Sequence, residues 1–320
     1  MEKIFNSLVN GDKILHITHD DLDAEGCATI AELYAEAMGF EIETHFCHIG
    51  TTDKAIEDIL NENTYNGILI SDIGVSYTMA ERLDKSGMVV AMVDHHATNR
   101  LNQKYDWALV GKNETESATW LLYRLMKDDI ERNLTSNKIV RTLETFANKV
   151  SRYDTWEWQK HPTDYSEEDL NILHLLMGNV RSVTIFKKMI LSPSYEKFIP
   201  GVYQEFVDAY KERRVSSVER TAHNCVKTQL TLDGVEYNVG ICIPSSEFFN
   251  AEITGCYHAY PELDIVFGLS PTRRMMSLRS CKPNINCGEI AAKYYHGGGH
   301  AGAAGGDINI SLLETYMKNN

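Results

Sequence analysis

The chain has 320 residues, 43% of them hydrophobic and 24% charged, which is ordinary for a globular protein with enough core for two domains. Asp and Glu outnumber Lys and Arg by 45 to 31, and the formal net charge of −14 excludes a protein that coats long nucleic acid through a wide basic surface. A short anionic substrate stays open, because a local cluster of cations or metal ions overrides the global sign.

The first hundred residues alternate between strand-like and helix-like patterns. Ile14 to Thr18 reads as a buried strand, and Ile30, Leu33, Tyr34, Ala37 and Met38 follow helical spacing that Gly39 can end. Phe40 to Ile49 then reads as a strand, Asp53 to Leu60 as a helix and Ile68 to Ser71 as a strand. Met79 to Leu83 follows as a helix and Met88 to Val93 as a strand. Strands spaced by helices imply βαβ units and a mainly parallel sheet. Beyond residue 112 the pattern turns helical. Asn113 with Glu116 resembles a capping box before Ala118, Leu121, Leu122 and Leu125, and a second apolar face runs from Ile139 to Val150. All seven prolines fall after residue 160, and Ser192-Pro193 and Pro200-Gly201 mark a boundary. Tyr203, Phe206, Val207 and Tyr210 suggest a connecting helix. Gln229 to Leu232 and Tyr237 to Ile243 flank the hairpin signal Asp233-Gly234. Ile265 to Leu269 and Met275 to Leu278 read as strands, and Cys287 to Tyr294 as a helix entering a glycine-rich loop.

The seven cysteines, scattered from Cys27 to Cys287 with no C-x-x-C, indicate neither a disulfide framework nor a zinc knuckle. A reduced, cytoplasmic setting is expected. The first residues lack an apolar signal core, and the longest aliphatic stretches, such as Met88 to Val93, are too short to span a bilayer.

Chemistry concentrates in four acidic and histidine-bearing clusters, read as strand ends: His19 to Asp23, Ser71-Asp72, Asp94-His95-His96 and Tyr153-Asp154. A fifth element is Gly297-Gly298-Gly299-His300. Crowded carboxylates and imidazoles repel one another or stay poorly solvated unless a cation holds them. The carboxyl ends of strands in an open parallel sheet face one crevice, so Asp21, Asp72 and Asp94 are expected to converge there. Taken singly, Asp21 and Asp23 read equally well as helix caps, and Asp72 alone reads better as a turn residue next to Gly74 than as a ligand. Gly26 is read as letting the backbone turn tightly before a helix. Oxygen and imidazole donors suit Mn²⁺ or Mg²⁺ better than a thiolate-loving ion, and two such ions about 3.5–4 Å apart clamp a phosphate and activate water.

These residues resemble the DHH phosphoesterase superfamily, in its DHH/DHHA1 branch, over nearly the whole chain. The resemblance rests on His19-x-Asp21-x-Asp23-Ala24-Glu25-Gly26, Asp72, Asp94-His95-His96 and Asp154. It continues in Ser277-Leu278-Arg279-Ser280, Gly297-Gly298-Gly299-His300 and Ala303-Ala304-Gly305. It implies an α/β protein with an N-terminal parallel-sheet DHH domain and a smaller C-terminal α/β DHHA1 domain, with a cleft between them. Residues 1–190 would form the catalytic domain, 191–225 a helical linker and 226–320 the substrate-binding domain. It further implies two Mn²⁺, with Mg²⁺ as the alternative. One would be held by His19, Asp21 and Asp72, the other by Asp23, Asp72, His95 and Asp154. His96 would face the substrate phosphate and Asp94 would orient the site. The first-metal histidine is expected to be His19, two residues before Asp21, with His16 the alternative; strand alternation makes His16 structural or buried.

In the second domain the resemblance assigns substrate contacts to Arg279, His300 and the Gly297–Gly299 backbone. The run Thr272 to Lys282 adds Arg273, Arg274 and Lys282, with Ser277 between, and holds no acidic residue. Arginine forks match phosphate oxygens, and glycine amides close on a phosphate. A cleft bounded at both ends suits a dinucleotide or short oligonucleotide. The expected activity is therefore Mn²⁺-dependent hydrolysis of short oligoribonucleotides to mononucleotides, as in the nanoRNase/oligoribonuclease branch. Alternatives on the same site are a cyclic or signalling nucleotide phosphodiesterase, a 3′-phosphoadenosine-5′-phosphate phosphatase and, from another class, a non-catalytic nucleotide-binding regulator. No membrane partner and no long nucleic-acid tract is expected, and the sequence leaves a homodimer open.

Overall fold

The computed structural model describes residues 5, 7–96, 99–111, 116–133, 136–161, 166–192 and 199–319. The chain divides into two units, Met1–Val207 and Asp208–Asn320.

In the first unit, β1 (Lys13–Thr18), α1 (Leu22–Met38), β2 (Glu41–Phe46), α2 (Thr52–Glu62), β3 (Gly67–Ser71), α3 (Tyr77–Asp84), β4 (Val89–Asp94) and β5 (Ala108–Val110) follow one another. Their strands form one parallel sheet in the order β2-β1-β3-β4-β5. β3 is buried throughout, as a strand covered on both faces must be. One face carries Leu15, Ile17, Ile68, Ile70 and Met92 against Ile56, Met79 and Leu83 of α2 and α3. Against α1 pack helices from the rest of the unit: α4 (Ala118–Asn133), α5 (Asn137–Asp154), α7 (Ser166–Met177) and α8 (Asn179–Leu191), with the short α6 (Glu157–Lys160) between α5 and α7. Gly26 does not make the tight turn expected of it. It lies inside α1, where any Cβ would collide with Thr119 of α4, so it sets how closely these helices approach. Gly39 ends α1 in the left-handed conformation at φ 77°. The Asn113 capping signal and Pro193 fall outside the described residues.

β1 has β2 on one side and β3 on the other, so the chain reverses its direction across the sheet between β1 and β3. Such a switch point opens a crevice beyond the carboxyl ends of those strands, because the connecting segments diverge to opposite faces.

The division between units falls within α9 (Gly201–His223). The second unit comprises β6 (Val226–Leu232), β7 (Val235–Cys242), α10 (Phe249–Ala259), β8 (Ile265–Ser270), β9 (Met275–Arg279), α11 (Cys287–Tyr294), β10 (Gly298–His300), β11 (Ala303–Asp307) and α12 (Ile310–Asn319). Its sheet runs β10-β11-β9-β8-β7-β6, antiparallel except for β7 with β8, which α10 connects. Asp233 and Gly234 both have positive φ (49° and 77°), the turn that suits the twist of the β6–β7 hairpin. Among the described residues, no helix is long and apolar enough to cross a membrane.

Candidate metal centre

Four chain segments deliver side chains to the switch-point crevice. After β1, Asp21 caps α1: its Oδ1 accepts from the Ala24 amide at 3.0 Å, while Oδ2 lies 2.8 Å from His19 Nδ1. The cap and candidate-ligand readings of Asp21 thus describe one residue. Asp23, buried in the first turn of α1, accepts the amides of Ala118 (2.8 Å) and Thr119 (3.0 Å), capping α4 from a distant part of the chain. After β3, Asp72 is held at φ 55°, in the left-handed region, with its amide donating to Val93 O at 3.0 Å. At the end of β4, Asp94 Oδ1 accepts from the His95 amide (2.8 Å) and lies 2.7 Å from His96 Nδ1; its Oδ2 accepts from Asn99 Nδ2 at 2.6 Å.

Asp154 arrives differently from the expectation. It is the last residue of helix α5, not the end of a strand, because the apolar period of that helix carries on past Val150 to the Asp itself. His95 Nε2 lies 3.4 Å from Asp154 Oδ2, 3.4 Å from Asp72 Oδ1 and 3.9 Å from Asp23 Oδ2. Donor atoms thus gather in three overlapping sets, each within 4.8 Å: His19, Asp21 and Asp72; Asp23, His95 and Asp154; and Asp72, His95 and His96. Asp72 belongs to two of them. His16 is elsewhere: fully buried, its Nε2 is 2.8 Å from Ser71 Oγ and its Nδ1 3.2 Å from Thr44 Oγ1.

The electrostatics fit a cation. Burial first, then the neighbouring Asp23, Asp21 and Asp154, pushes the Asp72 carboxyl well above its ordinary range. Burial, Asp23 and Asp21 push Asp154 up to about 8. Burial works to raise Asp21 too, but the His19 hydrogen bond and the Ala24 amide outweigh it and bring Asp21 down to about 2. Asp72 Oδ2 is buried without a hydrogen-bond partner, an arrangement that carries a full desolvation penalty unless a ligand meets it. Asp21, Asp23, Asp72 and Asp154 together carry the charge that two divalent ions would balance, and all-oxygen and imidazole donors suit Mn²⁺ or Mg²⁺. The Asp94 hydrogen bond raises His96, and His96 lines a cavity of about 350 Å³ together with His19, Asp72 and Asp94.

Asn99 gave no signal of its own in the sequence, since an amide five residues beyond an Asp reads as loop. Nor did the tie between Asp23 and α4, which joins residues 95 and 96 positions apart.

In the second unit, Arg279 ends β9, half-buried, donating to Ser277 Oγ (3.0 Å) and Asn250 Oδ1 (2.8 Å). Among the described residues it has no carboxylate partner, so its guanidinium keeps charge available to an anion. Arg273 is not gathered with it: it sits exposed in the turn before β9, at the other end of the strand. Lys282 is turned to Pro261 O at 2.9 Å. Gly297 precedes β10, while Gly298 and Gly299 lie in it, and β10 is the edge strand of the sheet. A Cβ on Gly297 or Gly299 would strike the β11 backbone, whereas one on Gly298 would meet open space. His300 ends β10; its side chain lies outside the described set.

No protein-family model matches the chain. Oligoribonuclease NrnB of Bacillus subtilis (strain 168) is 29% identical over 315 residues, covering 94% of this chain and 74% of NrnB. The solved structure of exonuclease RecJ bound to manganese is similar with a TM-score of 0.62 and 13% identity, over 96% of this chain and 89% of RecJ. A solved DHH domain from a member of a ribosomal-protein family gives a TM-score of 0.55 and 14% identity, over 97% of this chain and 86% of that one. Sheet order, donor set and these likenesses define a metal-dependent phosphodiesterase. In sequence the chain is similar to NrnB and in fold to a DHH domain, in keeping with the resemblance to the DHH phosphoesterase superfamily, on its nanoRNase-like side.

Proposed function

We propose that the chain is a Mn²⁺-dependent phosphodiesterase of the cytoplasm that hydrolyses short oligoribonucleotides to nucleoside monophosphates. The observation that carries this reading is Asp72, shared between two donor sets in a chain 29% identical to an oligoribonuclease. His19, Asp21 and Asp72 would hold one cation, and Asp23, Asp72, His95 and Asp154 the other. When bound, divalent cations supply Lewis acidity toward a phosphoryl oxygen and activation of water. The protein's own groups do the positioning. Asp94 holds His96 through Nδ1 and favours its protonated form, leaving Nε2 to donate to a phosphate oxygen. Asn99 and the His95 amide fix Asp94 in turn.

Residues 1–190 would carry the chemistry, 191–225 would join, and 226–320 would bind the rest of the substrate through Arg279, Ser277, the Gly297–Gly299 backbone and His300. Support for Arg279 is its lack of a carboxylate partner among the described residues. The deciding experiment is product analysis with Mn²⁺, and with Mg²⁺ for comparison. The substrates are an RNA dinucleotide, a DNA dinucleotide, a longer RNA, a cyclic dinucleotide and 3′-phosphoadenosine-5′-phosphate. Fastest release of mononucleotides from the RNA dinucleotide is expected. Faster turnover of the cyclic dinucleotide or of the bisphosphate would replace this reading, and binding without product would make the chain a regulator.

A further inference from the structure

The cavity that holds His19, Asp72 and His96 has a second character. Ile49, Val75 and Tyr77 also line it, from the segments that follow β2 and β3. Ile49 is 78% exposed and Tyr77 is 54% exposed, and neither belongs to the hydrophobic core beneath them. Large apolar side chains held at a cavity mouth lose free energy to water unless a ligand covers them, so their placement points to an apolar or aromatic occupant. The backbone that carries Tyr77 is fixed. Tyr77 is the first residue of α3, behind Ser76, whose side chain accepts from the Met79 amide and whose own amide donates to Asp53 at 3.1 Å. The floor is kept open at Gly74, where an added Cβ would meet only Asn99 Nδ2, at 3.7 Å.

Asp94 is engaged by both His96 and Asn99, and the open Asp72 Oδ2 belongs to the candidate cation site, so neither carboxylate is placed to read a base edge. A volume of about 350 Å³ is at the small end of ligand pockets and suits one nucleoside rather than several. We propose that Tyr77 and Ile49 form a stacking wall for the nucleobase attached to the phosphate under attack, so that the enzyme requires a base on that side but accepts any of the four. This rests on the phosphodiesterase reading above and adds where one nucleoside sits and how it is recognised.

The test compares wild type, Tyr77→Ala, Tyr77→Phe and Gly74→Leu on the four RNA homodinucleotides and on dinucleotides with an abasic ribose on one side or the other. Wild type is expected to vary by less than about fivefold among bases. It should lose roughly tenfold or more in kcat/KM, mainly through KM, when one particular side is abasic. Tyr77→Ala should lose as much on the intact dinucleotide and be indifferent to that abasic site, while Tyr77→Phe should behave as wild type. Gly74→Leu should block both substrates by filling the cavity. A second measurement, equilibrium binding of adenosine monophosphate against ribose 5-phosphate, needs no turnover and decides the wall even if no dinucleotide is cleaved. There the base should tighten binding at least about fivefold in wild type and not in Tyr77→Ala. Equal behaviour of Tyr77→Ala and wild type in either comparison, or a strong preference for one base, overturns the proposal.

Discussion

Asp72 occupies a left-handed backbone conformation that few non-glycine residues adopt, with one carboxylate oxygen buried and unpartnered. Such strain collects where a side chain must be aimed rather than merely accommodated. Asp72→Asn keeps the shape, and Asn tolerates this conformation, but it removes the shared anionic donor. In the presence of a chelator the variant should be slightly more stable than wild type, by about 1 kcal/mol or roughly 2–4 °C in Tm, because a buried like charge is gone. The rise in Tm on adding Mn²⁺ should disappear, and turnover with it. A variant that still gains Tm from Mn²⁺ would show that Asp72 holds no ion. His16 makes a prediction of opposite character. Burial lowers it from 6.5 to about 3 in the folded chain. Between those values the unfolded chain takes up a proton that the folded chain refuses. Its contribution is therefore intact above pH 6.5 and is lost progressively as pH falls toward about 3. Denaturant titrations should show wild type losing stability faster than His16→Gln over that window, by up to about 1.4 kcal/mol per pH unit. Parallel pH profiles would mean that the imidazole is not kept neutral.

Among the elements, the junction of β7 with α10 depends on one carboxylate. Glu252 is fully buried and accepts from Ser217 Oγ (2.6 Å), Thr221 Oγ1 (2.8 Å), Ser245 Oγ (2.5 Å) and the Ser245 amide (2.7 Å). Burial works to raise it, but these donors outweigh burial and hold it below the ordinary carboxylate range. Its stabilisation is therefore present above the ordinary Glu pKa and is lost as pH falls through the lowered one. Glu252→Gln turns two acceptor positions into donors facing donors, and should cost about 2–4 kcal/mol, measured by denaturant unfolding at neutral pH. A cost under about 0.5 kcal/mol would mean that the serines simply turn to water. Neither Glu252 nor its partners stood out in the sequence, because a Glu in a helix's first turn reads as an exposed N-terminal acid. The same limit governs the rest of the fold. Strands β3 and β4 were legible as nearly uninterrupted apolar runs and β2 by its alternation, whereas the three-residue β5 is too short to give a pattern. Residues 157–191 and helix α10 were not, their apolar positions being broken by Gly, Ser and charged residues. In the metal centre, Asp21, Asp72 and Asp94 were legible because a strand end announces them. The caps that bind Asp23 to α4 and Asn99 to Asp94 join segments that only the folded chain brings together.

Taken as a whole molecule, a chain of net charge −14 repels polyanions, and only local features reverse that. The four carboxylates of the candidate centre are attractive to phosphate only when cations outweigh them, and on the proposed function Arg279 would add one fixed positive charge to the substrate contacts. Few phosphates can then be neutralised at once. Each phosphate neutralised on a single strand contributes about −0.7 to the slope of log affinity against log salt. With one or two phosphates contacted, kcat/KM for a short oligonucleotide should fall only about three- to sevenfold between about 50 and about 200 mM salt at saturating Mn²⁺. Lengthening the substrate beyond a few nucleotides should not steepen that dependence, since a net charge of −14 opposes contact with the added phosphates. Steady-state kinetics across a salt series, with substrates of increasing length, makes the measurement. A slope that grows with each added nucleotide would reveal an extended cationic path along the surface, and the proposed preference for short substrates would lose its electrostatic basis.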